Sequence, residues 1–271
     1  MKVAIVLEAV FPENKGGLER WFSTLSQAMA ENVNSVHYLN SAGVNRVQGN
    51  LSYISVTNHK WSYLAGGIRS IKQAIQFLFG LIRWFSTHSY DFLYISSVPI
   101  LSIFVIPIVK LRNPRTVIVV EWLEYWPLKY WCDYKGMLVG SFSWIVQLVA
   151  LQIGDFRITF TKRTNLRIRA KNLHWIRNNT ILLPGLVNED SDIEIDKSNE
   201  RNDITFLGRL VDEKQPLFAI SIVEQFIDRG WTGTFWLVGT GPEEAKIKQA
   251  IDKCGKQNQI KFLVNASDQK I

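Results

Sequence analysis

Short apolar runs rich in β-branched residues recur along this chain with helix-length segments between them, and that alternation restricts the fold more than any other feature. Lys2 to Ala9, Val33 to Leu39, Leu51 to Val56, Phe92 to Ser96, Thr116 to Val120, Arg157 to Phe160 and Thr180 to Leu183 read as strands. Leu18 to Ala30, Ala65 to Phe85, Ile100 to Leu111 and Gly136 to Gln152 read as helices between them. Parallel strands need crossovers of this length, so the pattern predicts an α/β, doubly wound first domain of Rossmann type.

The stretch from Pro184 to Asn202 changes character: a Pro-Gly pair is followed by Asn188-Glu189-Asp190-Ser191-Asp192 and few large apolar side chains. Such a composition buries little and reads as a linker. The alternation then resumes with a strand over Ile204 to Leu207, a helix over Gln215 to Arg229, a strand over Thr232 to Val238, a helix over Pro242 to Cys254 and a strand over Ile260 to Val264. The expected organisation is a first domain over residues 1–185, a linker over 186–202 and a second Rossmann-type domain over 203–271. Three strands and two helices amount to half of a nucleotide-binding domain, so the second domain is expected to be incomplete, with a sheet edge open unless another chain covers it.

Charge is unevenly divided. Residues 1–175 hold 19 Lys and Arg against 9 Asp and Glu, whereas residues 176–271 hold 12 against 15. A basic first part suits an anionic membrane surface, a phosphorylated substrate or nucleic acid. No helix-turn-helix, RNA-binding aromatic signature or finger spacing is present, which disfavours a nucleic-acid-binding module. Most of the ten tryptophans also lie in this first part, and indoles favour boundaries between apolar and wet surroundings, which points to a membrane face.

Cys132 and Cys254 form no CxxC pair, and His37, His59, His88 and His174 have no metal-ligand spacing, so neither a disulfide framework nor a metal site is expected. Glu8 interrupts an apolar N-terminal run too short for a signal peptide, and no stretch reaches the roughly 20 apolar residues of a membrane span. The expected location is cytoplasmic, with peripheral association at the inner face of the membrane.

Four segments carry residue types suited to chemistry. Gly16-Gly17-Leu18-Glu19-Arg20 follows the first strand and opens the first helix, where bare backbone N–H groups meet anions; a plain tight turn is the other reading. Gly208-Arg209-Leu210 with Glu213-Lys214 forms the next strand-to-helix connection, where a guanidinium fork and an ammonium would neutralise a diphosphate, or simply face solvent. Gly239-Thr240-Gly241-Pro242-Glu243 turns a strand into a helix at the strand's carboxyl end, the ligand side of such folds. Glu121, placed after the strand ending at Val120, is either a carboxylate that accepts a ligand hydroxyl or acts as a base, or a salt-bridged loop residue.

Taken in order with Leu183-Pro184-Gly185-Leu186-Val187, these segments resemble the retaining glycosyltransferases of family four, across most of the chain. The resemblance implies a GT-B architecture of two Rossmann-type domains and a UDP- or GDP-linked sugar as co-substrate, with no further cofactor and no metal. It implies that Arg209 and Lys214 bind the diphosphate, with Gly239 and Gly241 beside the donor and Gly16 and Gly17 approaching it from the first domain. The acceptor implied is a saccharide, free or lipid-linked, in cell-surface polysaccharide or lipopolysaccharide assembly. Two departures stand out: Glu121 occupies the place of the usual catalytic His, and the Glu-x7-Glu segment that holds the donor sugar is absent from this sequence. A truncated, catalytically inactive relative is therefore the alternative expectation.

Overall fold

The computed structural model describes residues 1–14, 16–57, 70–171, 179–183 and 202–264. They fall into two compact units, one holding the described residues through Leu183 and the other those from Asn202 onward.

The first unit is built on an eight-stranded sheet. In chain order its strands are β1 (Lys2–Val6), β2 (Ser35–Asn40), β3 (Arg46–Gln48), β4 (Leu51–Ser55), β5 (Phe92–Ser96), β6 (Val117–Trp122), β7 (Phe156–Thr159) and β8 (Thr180–Leu182). Across the sheet they run β3-β4-β2-β1-β5-β6-β7-β8. All neighbours are parallel except the short β3, which pairs antiparallel with β4. Strand order therefore reverses at β1, which lies between β2 and β5, and this switch point is where doubly wound sheets open a ligand crevice beyond the strands' carboxyl ends.

Strand parity assigns the two cores. On β1, Ala4 and Val6 join the core that holds Phe77, Leu81 and Phe85, while Val3 and Ile5 join the core that holds Phe22, Tyr38 and Tyr94. The helix α1 (Gly17–Asn32) contributes Leu18, Trp21, Phe22, Leu25 and Met29 to the second core, a stripe at helical spacing. The helix α2 (Ile71–Phe85) supplies the first, entered through Ser70, whose side chain accepts from the Gln73 amide at 3.4 Å. Phe22 is fully buried, its ring edge-on to Tyr38 and Tyr94, and burial of a side chain of that size stabilises by about 1.5–3 kcal/mol.

Several elements differ from the sequence expectation. β1 ends at Val6 rather than Ala9, because the Leu7 amide makes the last ladder bond, to Leu39 O, before the chain turns away. The expected helix over Ile100 to Leu111 is a 3-10 segment, Ile100–Val105, running into α3 (Ile106–Arg112). Two further helices were not anticipated: α4 (Leu128–Lys135), lying before α5 (Met137–Ala150), and α6 (Lys162–Lys171). α4 has no buried residue and α6 has basic residues at five of its ten positions, so neither shows an apolar stripe by which sequence reveals a helix. The linker, the Pro184 to Val187 segment and residues 65–69 of the expected second helix lie outside the described residues.

The second unit places β9 (Ile204–Leu207), β10 (Phe235–Val238) and β11 (Ile260–Leu263) in the order β11-β10-β9, all parallel. They are linked by α7 (Pro216–Asp228) and α8 (Glu244–Cys254). Leu210, Ile220, Val223, Phe235, Leu237, Ile247 and Ile260 form its core.

Candidate active site

Glu121 lies inside β6, in register with Ser96 and Ile158 on the flanking strands, not in the loop that follows. It is fully buried. Its Oε2 accepts from Trp21 Nε1 at 2.8 Å and from the Tyr94 hydroxyl, whereas Oε1 is buried with no partner. Burial pushes the carboxyl up to about 7, and the hydrogen bonds from Tyr94 and Trp21 pull partly against that rise. Near neutrality the group is thus divided between acid and carboxylate. Burial and the adjacent Glu121 charge in turn hold the Tyr94 phenol well above its usual range. The salt-bridged loop reading is corrected: among the described residues no cation pairs with Glu121, and the residue is part of a strand. In this conformation the side chain offers no surface to a ligand.

The Gly16-Gly17 pair lies at the start of α1, past the switch-point strand β1. Gly16 is the N-cap, with extended backbone and no side-chain cap, so the first amides of a 16-residue helix meet no capping side chain. A β-carbon on Gly17 would meet nothing within 4 Å, whereas one on Gly16 would lie 2.1 Å from Glu19 Oε2. The chain's own carboxylate, Glu19, thus sits beside this helix start in its first turn, favourable to the helix dipole and repulsive to an incoming anion.

In the second unit, Gly208 and Arg209 follow β9, the fully buried Leu210 plugs the core, and a 3-10 turn over Asp212–Lys214 leads into α7. Arg209 and Lys214 are both exposed. Gln215 adopts φ 53°, ψ 47°, the left-handed region, immediately before Pro216 at the helix start. Gly239 and Gly241 are explained by packing. At Gly239, where φ is 153°, a β-carbon would lie 1.9 Å from Gly208 O, and one at Gly241 would lie 2.3 Å from Leu210 O. The two loops are joined through Gly208 N to Val238 O at 3.1 Å, Leu210 N to Thr240 O at 2.9 Å and Glu243 N to Leu210 O at 3.1 Å. Beside them a recess of about 380 Å³ is lined by Asp212, Gln215, Pro216, Leu217, Phe218 and Glu243. Neither Arg209 nor Lys214 is among its walls, and two of its six lining residues are acidic.

Residues assigned no role of their own from sequence therefore adjoin these segments: Trp21 and Tyr94 around Glu121, Glu19 beside Gly16, and Gln215 before α7. Strand parity was the available signal for Tyr94, which shares a face of the sheet with Val119 and hence with Glu121. No three His, Cys, Asp or Glu side chains gather as metal ligands among the described residues.

A mostly parallel eight-stranded sheet and a second, smaller Rossmann-type unit give the chain the α/β fold of GT-B glycosyltransferases. Solved structures bear this out. WaaG, a glycosyltransferase involved in lipopolysaccharide biosynthesis, superposes with a TM-score of 0.69 at 14% identity, covering 99% of this chain and 71% of that one. The lipopolysaccharide outer core galactosyltransferase WaaB, in its apo form, gives 0.58 at 15% identity, covering 99% and 69%. The pneumococcal O-GlcNAc transferase GtfA, in complex with UDP and GlcNAc, gives 0.63 at 11% identity, covering 100% and 77%. At these identities the likeness is one of fold. No family model and no curated protein matches the sequence.

Proposed function

We propose that this chain is a retaining glycosyltransferase of the family-four kind, taking a sugar from UDP or GDP to a saccharide acceptor, free or lipid-linked, in cell-surface polysaccharide assembly. The observation that carries this reading is the connection from β9 to α7, which puts Arg209 and Lys214 at the carboxyl end of a strand in a GT-B fold. As the bond from the sugar's anomeric carbon to the diphosphate breaks, negative charge gathers on the departing phosphate oxygens. The guanidinium and ammonium groups stabilise it, each well-placed donor being worth about 3 kcal/mol. Gly239 and Gly241 hold the neighbouring loop against the β9 loop that carries Arg209. Glu121 acts on the acceptor side once Oε1 is uncovered; in the closed arrangement it fixes Trp21 at the head of α1.

Calorimetric titration with UDP- and GDP-sugars tests the donor site. Binding weakened by Arg209→Ala and by Lys214→Ala is the expected result, and affinity unchanged in both variants overturns the assignment. The full enclosure of Glu121 favours a second reading, a chain that binds a nucleotide sugar without transferring it. Donor binding without donor consumption, with acceptor saccharides supplied, selects that second reading.

A further inference from the structure

The helix α5 carries no charged residue along its 14 positions, and one of its faces is uncovered. Leu138, Phe142, Ile145 and Val149, spaced at intervals of four, three and four, are 86%, 67%, 52% and 50% exposed. An apolar stripe of this kind on a helix is ordinarily buried, and a contiguous exposed one marks a surface that meets something else.

The stripe does not arise from a loosely held helix. α5 is clamped against α4: a β-carbon at Gly140 would lie 2.4 Å from Trp131 O, so the two backbones touch. Behind them the buried Gln147 accepts from the Trp126 amide at 3.3 Å and from Trp131 Nε1 at 3.2 Å, and donates to Trp126 O at 2.8 Å. Trp144 Nε1 donates to the Tyr125 hydroxyl at 3.3 Å. The uncovered face is held out by a fixed platform.

Its surroundings are cationic. α6 carries five basic residues in ten and no acidic one, and its end adjoins that of α5, where Gln152 Nε2 donates to Lys171 O at 3.2 Å. Lys162, Arg163, Arg169 and Lys171 are exposed. α4, packed against α5, adds Lys129 and Lys135 against a single acid, Asp133. A second copy of the chain seated here would bring like charges together, whereas an anionic lipid surface takes up both the apolar stripe and the cations. At about 1.5 Å per residue α5 is roughly 21 Å long, short of a bilayer's roughly 30 Å core, and among the described residues no helix is long and apolar enough to cross a membrane.

We infer that the uncovered face of α5, flanked by the basic α6, is the surface by which this chain lies on an anionic membrane, its apolar side chains entering the interface. This deepens the acceptor side of the proposed function and puts the membrane-facing surface of the first unit on α5 and α6. It stands apart from the donor-site reading, because the test needs no nucleotide sugar.

The experiment is vesicle flotation of the full chain. Flotation is expected with phosphatidylcholine vesicles holding about one-third phosphatidylglycerol and not with phosphatidylcholine alone, with a loss of about tenfold on raising the salt several-fold. A Leu138→Ser, Phe142→Ser pair, exposed and outside both candidate sites, is expected to float about tenfold less while keeping the wild-type thermal transition and donor affinity. Lys162→Ala with Arg163→Ala is expected to remove the dependence on anionic lipid. Wild-type chain that stays with the soluble fraction, flotation unchanged in the serine pair, or a lipid-free dimer that the serine pair converts to monomer would each overturn the inference.

Discussion

The indole of Trp21 donates to Glu121 Oε2 at 2.8 Å, tying the first turns of α1 to the carboxyl end of β6. The same oxygen accepts from Tyr94, so one carboxyl group joins a helix and two strands at the ligand side of the sheet. Its protonation is therefore part of the fold's stability.

In the unfolded chain this carboxyl ionises near 4.5, and in the fold only near 7. Between those values the folded state holds the extra proton, so stability falls as pH rises through the window, by about 3 kcal/mol in all. Glu121→Gln cannot ionise and is expected to lose this slope, gaining on the wild type as pH increases. Denaturant unfolding of both proteins at about pH 5 and about pH 8 measures it, and parallel pH profiles would count against a buried, shifted carboxyl.

Gly239→Ala and Gly241→Ala are expected to destabilise the second unit by about 2–4 kcal/mol, because each new β-carbon overlaps a backbone carbonyl of the β9 loop. Gly17→Ala, with open space around it, is expected to leave thermal stability within about 0.5 kcal/mol. Thermal unfolding of the three variants separates packing glycines from one that leaves space for a ligand.

Gln215 holds a left-handed backbone just before Pro216. Residues with a β-carbon are strained there and proline disfavours helical backbone in the residue before it, so Gln215→Gly is expected to stabilise the second unit by about 0.5–1 kcal/mol. Chemical denaturation is the measurement, and a loss of stability would show that the Gln side chain contributes more than its backbone costs.

Gln147→Leu keeps the volume but strands the Trp126 amide and Trp131 Nε1 without their acceptor. A cost of about 2–3 kcal/mol is expected, with faster amide exchange confined to α4 and α5.

Elements whose apolar spacing matches their geometry were legible in the sequence. The stripe from Leu18 to Met29 and the apolar runs of β1, β5 and β6 bury the faces their periods indicate. α4 and α6 were not legible, since one has no fully buried residue and the other is half basic, so their helicity follows from context. The glycines at strand ends were readable as turn residues because backbone geometry restricts them locally. The partners of Glu121 were not, because Trp21 and Tyr94 reach it across 100 and 27 residues of sequence. The reading of Gly239 and Gly241 as donor contacts also missed their nearest neighbours, the carbonyls of Gly208 and Leu210, which only the paired loops reveal.

β1 pairs with β2 on one side and β5 on the other, and among the described residues no other strand bridges those two halves of the eight-stranded sheet. Deleting residues 2–6 would therefore leave not a shorter sheet but two unconnected ribbons, β3-β4-β2 and β5-β6-β7-β8, with the seam between them running through the crevice where α1 begins. A protease or a start-site shift that removed so short a piece would cost the unit its continuity as well as the floor of its candidate site.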